Sequence, residues 1–119
     1  MEQLWSSVCE VSDLIPDTGV CVKIGDYQTA IFYISQSDEY LAIGNYDPIG
    51  KANVLSRGLI CSIGDNITVA SPLYKQHFDL RTGECLEDED VSVPSFPLRV
   101  VDGNIELSLP VAGSEQQAA

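Results

Sequence analysis

The chain has 119 residues, 45% of them apolar and 20% charged, which is enough for one hydrophobic core. Its 18 acids against six Lys and Arg give a net charge of −12, which excludes nucleic acid and an anionic membrane surface as partners. No apolar run nears the roughly 18 residues that a membrane-spanning helix needs. The opening MEQLWSSVCE has neither the basic nor the long apolar region of a secretory signal, so a cytoplasmic protein with reduced thiols is expected.

In chain order, Trp5 to Val11 reads as a strand. A short turn of helix follows over Ser12–Pro16, with Ser12 or Asp13 as its cap and Pro16 limiting it. Val20, Val22 and Ile24 alternate with Cys21 and Lys23, the period of a half-buried strand. Gly25-Asp26 then turns the chain into a β-branched and aromatic strand, Gln28 to Ile34. Glu39 to Gly44 is the next strand, and Leu59–Ile63 with Asn66–Ala70 flank a Gly64-Asp65 hairpin turn. After His77–Leu80 and Glu84–Leu86, Pro94 and Pro97 interrupt an edge-like segment. The clearest hairpin is Leu98–Val101 and Asn104–Leu109 around Asp102-Gly103, a pair suited to positive φ. Many short strands with frequent turn signals predict an all-β sandwich or small barrel. One domain is expected over residues 1–109, with 110–119 a disordered tail.

The four cysteines, Cys9, Cys21, Cys61 and Cys85, have no Cys or His at metal-ligand spacing. Three of them sit in apolar strands and are expected to be small core residues. The run Glu87-Asp88-Glu89-Asp90 lacks the glycine and spaced oxygens of a calcium loop and reads as a solvated turn. There is no dinucleotide-binding glycine fingerprint, no phosphate-binding loop and a single histidine, so no catalytic, cofactor-binding or metal-binding residue is expected in this chain.

Two loops, Asn45–Arg57 and Ser71–His77, carry the functional signal. Asn45-Tyr46-Asp47-Pro48-Ile49 leads to Leu55-Ser56-Arg57-Gly58, and Ser71-Pro72-Leu73-Tyr74 precedes Phe78-Asp79 and Thr82-Gly83. This resembles Rieske-type ferredoxins, whose first loop reads N-x-C-x-H then L-S-x-G, and whose second reads C-P-x-H followed by F-D and a glycine. The resemblance implies a Rieske-like fold of antiparallel sheets, with residues 45–86 as the two-loop lobe. Aligned so, the cysteine positions fall on Asp47 and Ser71 and the histidine positions on Ile49 and Tyr74, with the first loop one residue longer. A carboxylate, an isoleucine, a hydroxyl and a phenol cannot supply two thiolates and two imidazoles, so no cluster is expected.

The phrases LWSSVCEVSDLIPDTGVCV, NYDPIGKANVLSRGLI and ASPLYKQHFDLRTGECLEDE resemble, more narrowly, the small subunits of assimilatory NAD(P)H-dependent nitrite reductases. That resemblance implies a cofactor-free accessory subunit in the reduction of nitrite to ammonium. Its partner would be a large catalytic subunit carrying FAD, siroheme and an iron–sulfur cluster and using NAD(P)H. The alternatives are a Rieske-type electron carrier and a redox-inert module of another oxidoreductase. Arg57, Tyr74, Lys75, Gln76 and His77 are the candidate partner-binding residues. Asp47 and Arg57 would either add rim charge or pair with each other. Ile49 and Tyr74 would either face the partner or pack inward where a cluster would sit.

Overall fold

The β-branched and aromatic strand after the first hairpin sets the architecture. In a computed structural model, which describes residues 4–24, 27–73 and 75–109, successive residues of this strand face two different cores. Ala30, Phe32 and Ile34 point one way, and Ile31 and Tyr33 the other, as the two-residue period of a strand requires. It is β3 (Tyr27–Ile34), and it lies between β2 (Gly19–Ile24) and β4 (Glu39–Gly44) in an antiparallel sheet. The register runs Ile24↔Tyr27 on one side and Phe32↔Leu41 on the other.

One face of this sheet packs on a second sheet built from both ends of the chain. Here β1 (Leu4–Glu10) pairs with β11 (Asn104–Leu109), which pairs with β10 (Leu98–Val101). Leu14, Ile31, Ala42, Ile105 and Leu107 are buried between the two sheets. The β10–β11 turn is tight, Val101 pairing with Asn104, and Asp102 and Gly103 both take positive φ (53° and 82°) as the Asp-Gly signal predicts.

The other face carries a lobe built on a third sheet. Its sheet is β7 (Leu59–Ile63), β8 (Asn66–Ala70) and β9 (His77–Asp79), with β8 central. Val69, Phe78, Leu80 and Cys85 meet Phe32 and Ile43 in a core completed by Leu55 and Val93. A small ribbon, β5 (Tyr46–Asp47) with β6 (Ala52–Asn53), lies inside the first loop. Backbone approach is close where the lobe meets the segment at Val93. Gly83 sits at φ +84°, and a Cβ there would lie 1.9 Å from the Val93 carbonyl oxygen.

Two expectations are corrected. The first helical turn is a 3-10 turn over Val11–Asp13, entered one residue earlier than predicted. Its start is fixed by the Glu10 amide donating to Asp13 Oδ2 at 2.9 Å, so Asp13 stands inside the turn and Ser12 does not cap it. Of the three cysteines expected in the core, Cys85 is buried and Cys61 half-buried, but Cys21 is exposed. The inward positions of β2 are taken by Val20 and Val22, which leaves Cys21 on the other face of an edge strand. The predicted turn at 25–26, residue Tyr74 and the tail 110–119 lie outside the described residues.

Candidate functional site

Both loops begin at the end of a strand with a short polar residue followed by proline. In the first, Asp47 closes β5, and its Oδ1 accepts the amides of Ile49 and Gly50 at 2.8 and 3.0 Å. Its carbonyl oxygen accepts the Lys51 amide at 2.6 Å. In the second, Ser71 follows β8, its Oγ accepts the Leu73 amide at 3.2 Å, and its carbonyl accepts the Lys75 amide at 3.0 Å. The two segments thus share a side-chain bond to the amide two residues on and a carbonyl bond to the lysine amide four residues on. The lysine that ends each turn stands in the left-handed region, Lys51 at φ 60° and Lys75 at φ 68°. That conformation disfavours a residue with a Cβ by about 1–2 kcal/mol.

The two turns are joined through Asp47 and Ser71. Ser71 Oγ donates to Asp47 Oδ2, and both side chains are fully buried. The Asp47 carboxylate is thus satisfied by two amides and one hydroxyl, as a buried carboxylate must be. The loops also touch at Gly50, where a Cβ would lie 2.4 Å from Leu73 Cδ1. Ile49 is half-buried and packs on the lobe core, so it faces inward. Asn45 fixes both ends of the first loop. Its Oδ1 accepts the Ser56 amide at 2.7 Å, its Nδ2 donates to Gln28 Oε1 at 3.0 Å, and its carbonyl accepts the Leu55 amide at 3.1 Å. The sequence quotes Asn45 only as part of a motif. Its signal is an asparagine between an apolar strand and an Asp-Pro turn, a position that asks for a backbone-bonding side chain.

The remaining predicted partner residues divide. His77 is folded back, its amide donating to Glu87 Oε1 at 2.8 Å and its Nδ1 standing 2.6 Å from Glu87 Oε2. Partial burial pushes the Glu87 carboxyl up, but the hydrogen bonds from His77 outweigh it and hold the group below the usual carboxylate range. Gln76 is half-buried, and its carbonyl accepts the Ser71 amide at 2.8 Å. Lys51, Arg57 and Lys75 are exposed, and none has a carboxylate within 4.0 Å among the described residues. Arg57 does not pair with Asp47, because Asp47 is inside, bound to Ser71. The acidic run 87–90 is exposed throughout.

These residues do not fit a [2Fe–2S] cluster. Two thiolates would have to come from Asp47 and Ser71, which instead hydrogen-bond each other, and one imidazole from Ile49, which packs on the core. Among the described residues no three His, Cys, Asp or Glu side chains gather at metal-binding distance. No described helix is long and apolar enough to cross a membrane.

Three three-stranded antiparallel sheets, with a two-stranded ribbon in a paired-loop lobe, define a Rieske-like domain, and residues 4–108 match the family model described as a Rieske-like [2Fe-2S] domain. The chain is 48% identical over 103 residues to the nitrite reductase (NADH) small subunit of Escherichia coli K12, spanning 87% of this chain and 95% of that one. The solution structure of the E. coli protein NirD superposes with a TM-score of 0.84 at 44% identity, covering 92% of this chain and 100% of that one. The chain belongs to the nitrite reductase small-subunit family. It is also similar to the nitrite reductase NAD(P)H large subunit of Klebsiella oxytoca, 34% identical over 101 residues that span 85% of this chain but 10% of that protein.

Proposed function

We propose that this chain is the cofactor-free small subunit of a cytoplasmic NAD(P)H-dependent nitrite reductase, reducing nitrite to ammonium together with a large catalytic subunit. In this reading the large subunit brings FAD, siroheme and an iron–sulfur cluster and takes hydride from NAD(P)H. This chain, folded over 1–109, supports or orients it. The observation that carries the reading is the near end-to-end match to a nitrite reductase small subunit. The Klebsiella match adds weight, because there a stretch like this chain occupies a tenth of a large subunit. A domain that exists both as a separate chain and as part of its partner is one that works in contact with it.

The two-loop end is the proposed meeting surface, with Arg57, Tyr74, Lys75 and Gln76 as the contacting candidates. His77 has its Glu87 partner within the chain and serves there as a clasp. The reading is tested by reconstitution. Purified large subunit is assayed for NADH- or NADPH-dependent nitrite reduction with and without this chain, and copurification is followed in parallel. Activity that rises with added chain up to an equimolar ratio supports the reading, and activity indifferent to the chain refutes it. Stoichiometric iron with visible absorption in the purified chain would instead make it an electron carrier of the Rieske ferredoxin type.

A further inference from the structure

The charge of this molecule is unevenly laid out. Residues 45–58 and 71–77 hold three of the six Lys and Arg (Lys51, Arg57, Lys75) and one of the 18 acids, Asp47, which is buried. The rest of the chain keeps 17 acids and three cations. Two of those three cations are paired, Arg81 with Glu39 and Arg99 with Glu106. Counted along the chain, the two loops are therefore the stretch of an otherwise acidic molecule in which cations outnumber acids, with Glu87 of the neighbouring acidic run already engaged by His77.

The backbone singles out two of these cations. Among the described residues, five other than glycine have positive φ: Asp17, Asp38, Asp102, Lys51 and Lys75. Aspartate tolerates the left-handed region because its short side chain can bond the local backbone, and lysine gains nothing of the kind. Glycine would relieve both loop positions. Each loop nevertheless ends its turn on a lysine that takes the same backbone role, its amide bonded to the carbonyl four residues back, and among the described residues neither ammonium has a carboxylate within 4.0 Å. Strain repeated at two equivalent positions points to a use for the charge that the fold itself does not make.

Between the two turns lies an apolar centre. Leu73 rests on Gly50 and yet remains 45% exposed, with Pro72 exposed beside it. An apolar centre edged by cations has the layout of a protein interface, in which the middle gives up water and the rim sets orientation. We propose that Pro72 and Leu73 seat in an apolar depression of the large catalytic subunit and that Lys51 and Lys75 pair with carboxylates at its edge. A second copy of this chain is a poor occupant, since two molecules of charge −12 repel. This rests on the subunit reading above and specifies the surface and the chemistry of its receptor.

The test measures binding of the full-length chain to holo large subunit, and the nitrite reduction it restores, at low and at physiological ionic strength. For Lys51→Glu/Lys75→Glu the expected result is affinity about 100-fold weaker at low salt, with most of the salt dependence gone. Lys51→Gly/Lys75→Gly separates charge from backbone. It should be at least as resistant to urea as the wild type, because the left-handed positions are relieved, and yet bind about tenfold more weakly. Binding of both variants within twofold of wild type overturns the proposal while leaving the subunit reading intact. So does salt-sensitive self-association of the wild type that the Glu variant abolishes, which would make a second copy the occupant. Failure of the wild type itself to bind or activate the large subunit overturns both readings.

Discussion

Ser71→Ala removes one oxygen from the junction of the two loops. In the wild type that oxygen donates to Asp47 Oδ2 and accepts the Leu73 amide, and both Ser71 and Asp47 are fully buried. A hydrogen bond to a charged group contributes about 1.5–3 kcal/mol, and here no solvent can replace it. The Leu73 amide lies on an exposed residue and can turn to water, so its loss adds little. The expected destabilisation is about 2–3 kcal/mol. Asp47→Ala should cost more, about 3–5 kcal/mol, because it orphans the Ile49 and Gly50 amides as well as the Ser71 hydroxyl. Since the two residues share one bond, the double variant should fall short of the sum by about 2 kcal/mol. Urea unfolding followed by Trp5 fluorescence measures all four proteins. With a slope of about 1.5 kcal/mol per molar for a domain of this size, Ser71→Ala should lower the midpoint by about 1.5 M. A midpoint within about 0.3 M of wild type, or additive single variants, would show that the hydrogen bond does not hold the loops together.

Thr29 is fully buried and its hydroxyl has no partner among the described residues, so Thr29→Val should raise stability by about 1 kcal/mol; a loss in the same urea titration would contradict this. Gly83→Ala should cost about 3 kcal/mol or more, as the left-handed φ and the Val93 carbonyl both oppose a Cβ. Gly64→Ala is the comparison, with the same sign of φ but nothing within 4 Å, and its melting point should drop far less. Glu87 is held below its ordinary range in the folded state, so its bond to His77 contributes above the unfolded carboxyl's titration and is lost as pH falls through the folded one. The stability gap between wild type and Glu87→Gln should accordingly be full at neutral pH and close on acidification. A gap unchanged on descending through the carboxylate range would refute the linkage.

Legibility in the sequence followed the range of the interaction. Both hairpins with turn glycines, 59–70 and 98–109, were readable because alternation and turn chemistry are local, and their ends agree with the strands observed. The ribbon Tyr46–Asp47 with Ala52–Asn53 was not, since two residues a side give no period to detect. The functional end was readable by likeness to a known loop pair but not in its physics. Asp47 looked like a rim charge or a partner of Arg57, whereas its partner lies 24 residues on, and only the fold brings Ser71 to it. The Glu87 partner of His77, ten residues later, was not legible either, because it appears only once β9 meets the 84–87 segment. Of the two lysines, Lys75 was legible as a candidate partner residue and Lys51 was not. What distinguishes Lys51 and Lys75 is a backbone angle, and no residue pattern records it.

The alternation along β3 has a consequence for how the molecule opens. With Phe32 facing one core and Ile31 the other, the strand is a party wall: either side can be stripped while the other still clings to it. Amide exchange should therefore be slowest at Ala30–Tyr33, flanked by β2 and β4, and fastest in the loops. If the lobe opens first, exchange in β7–β9 should rise while the β1–β11 pairing keeps its protection.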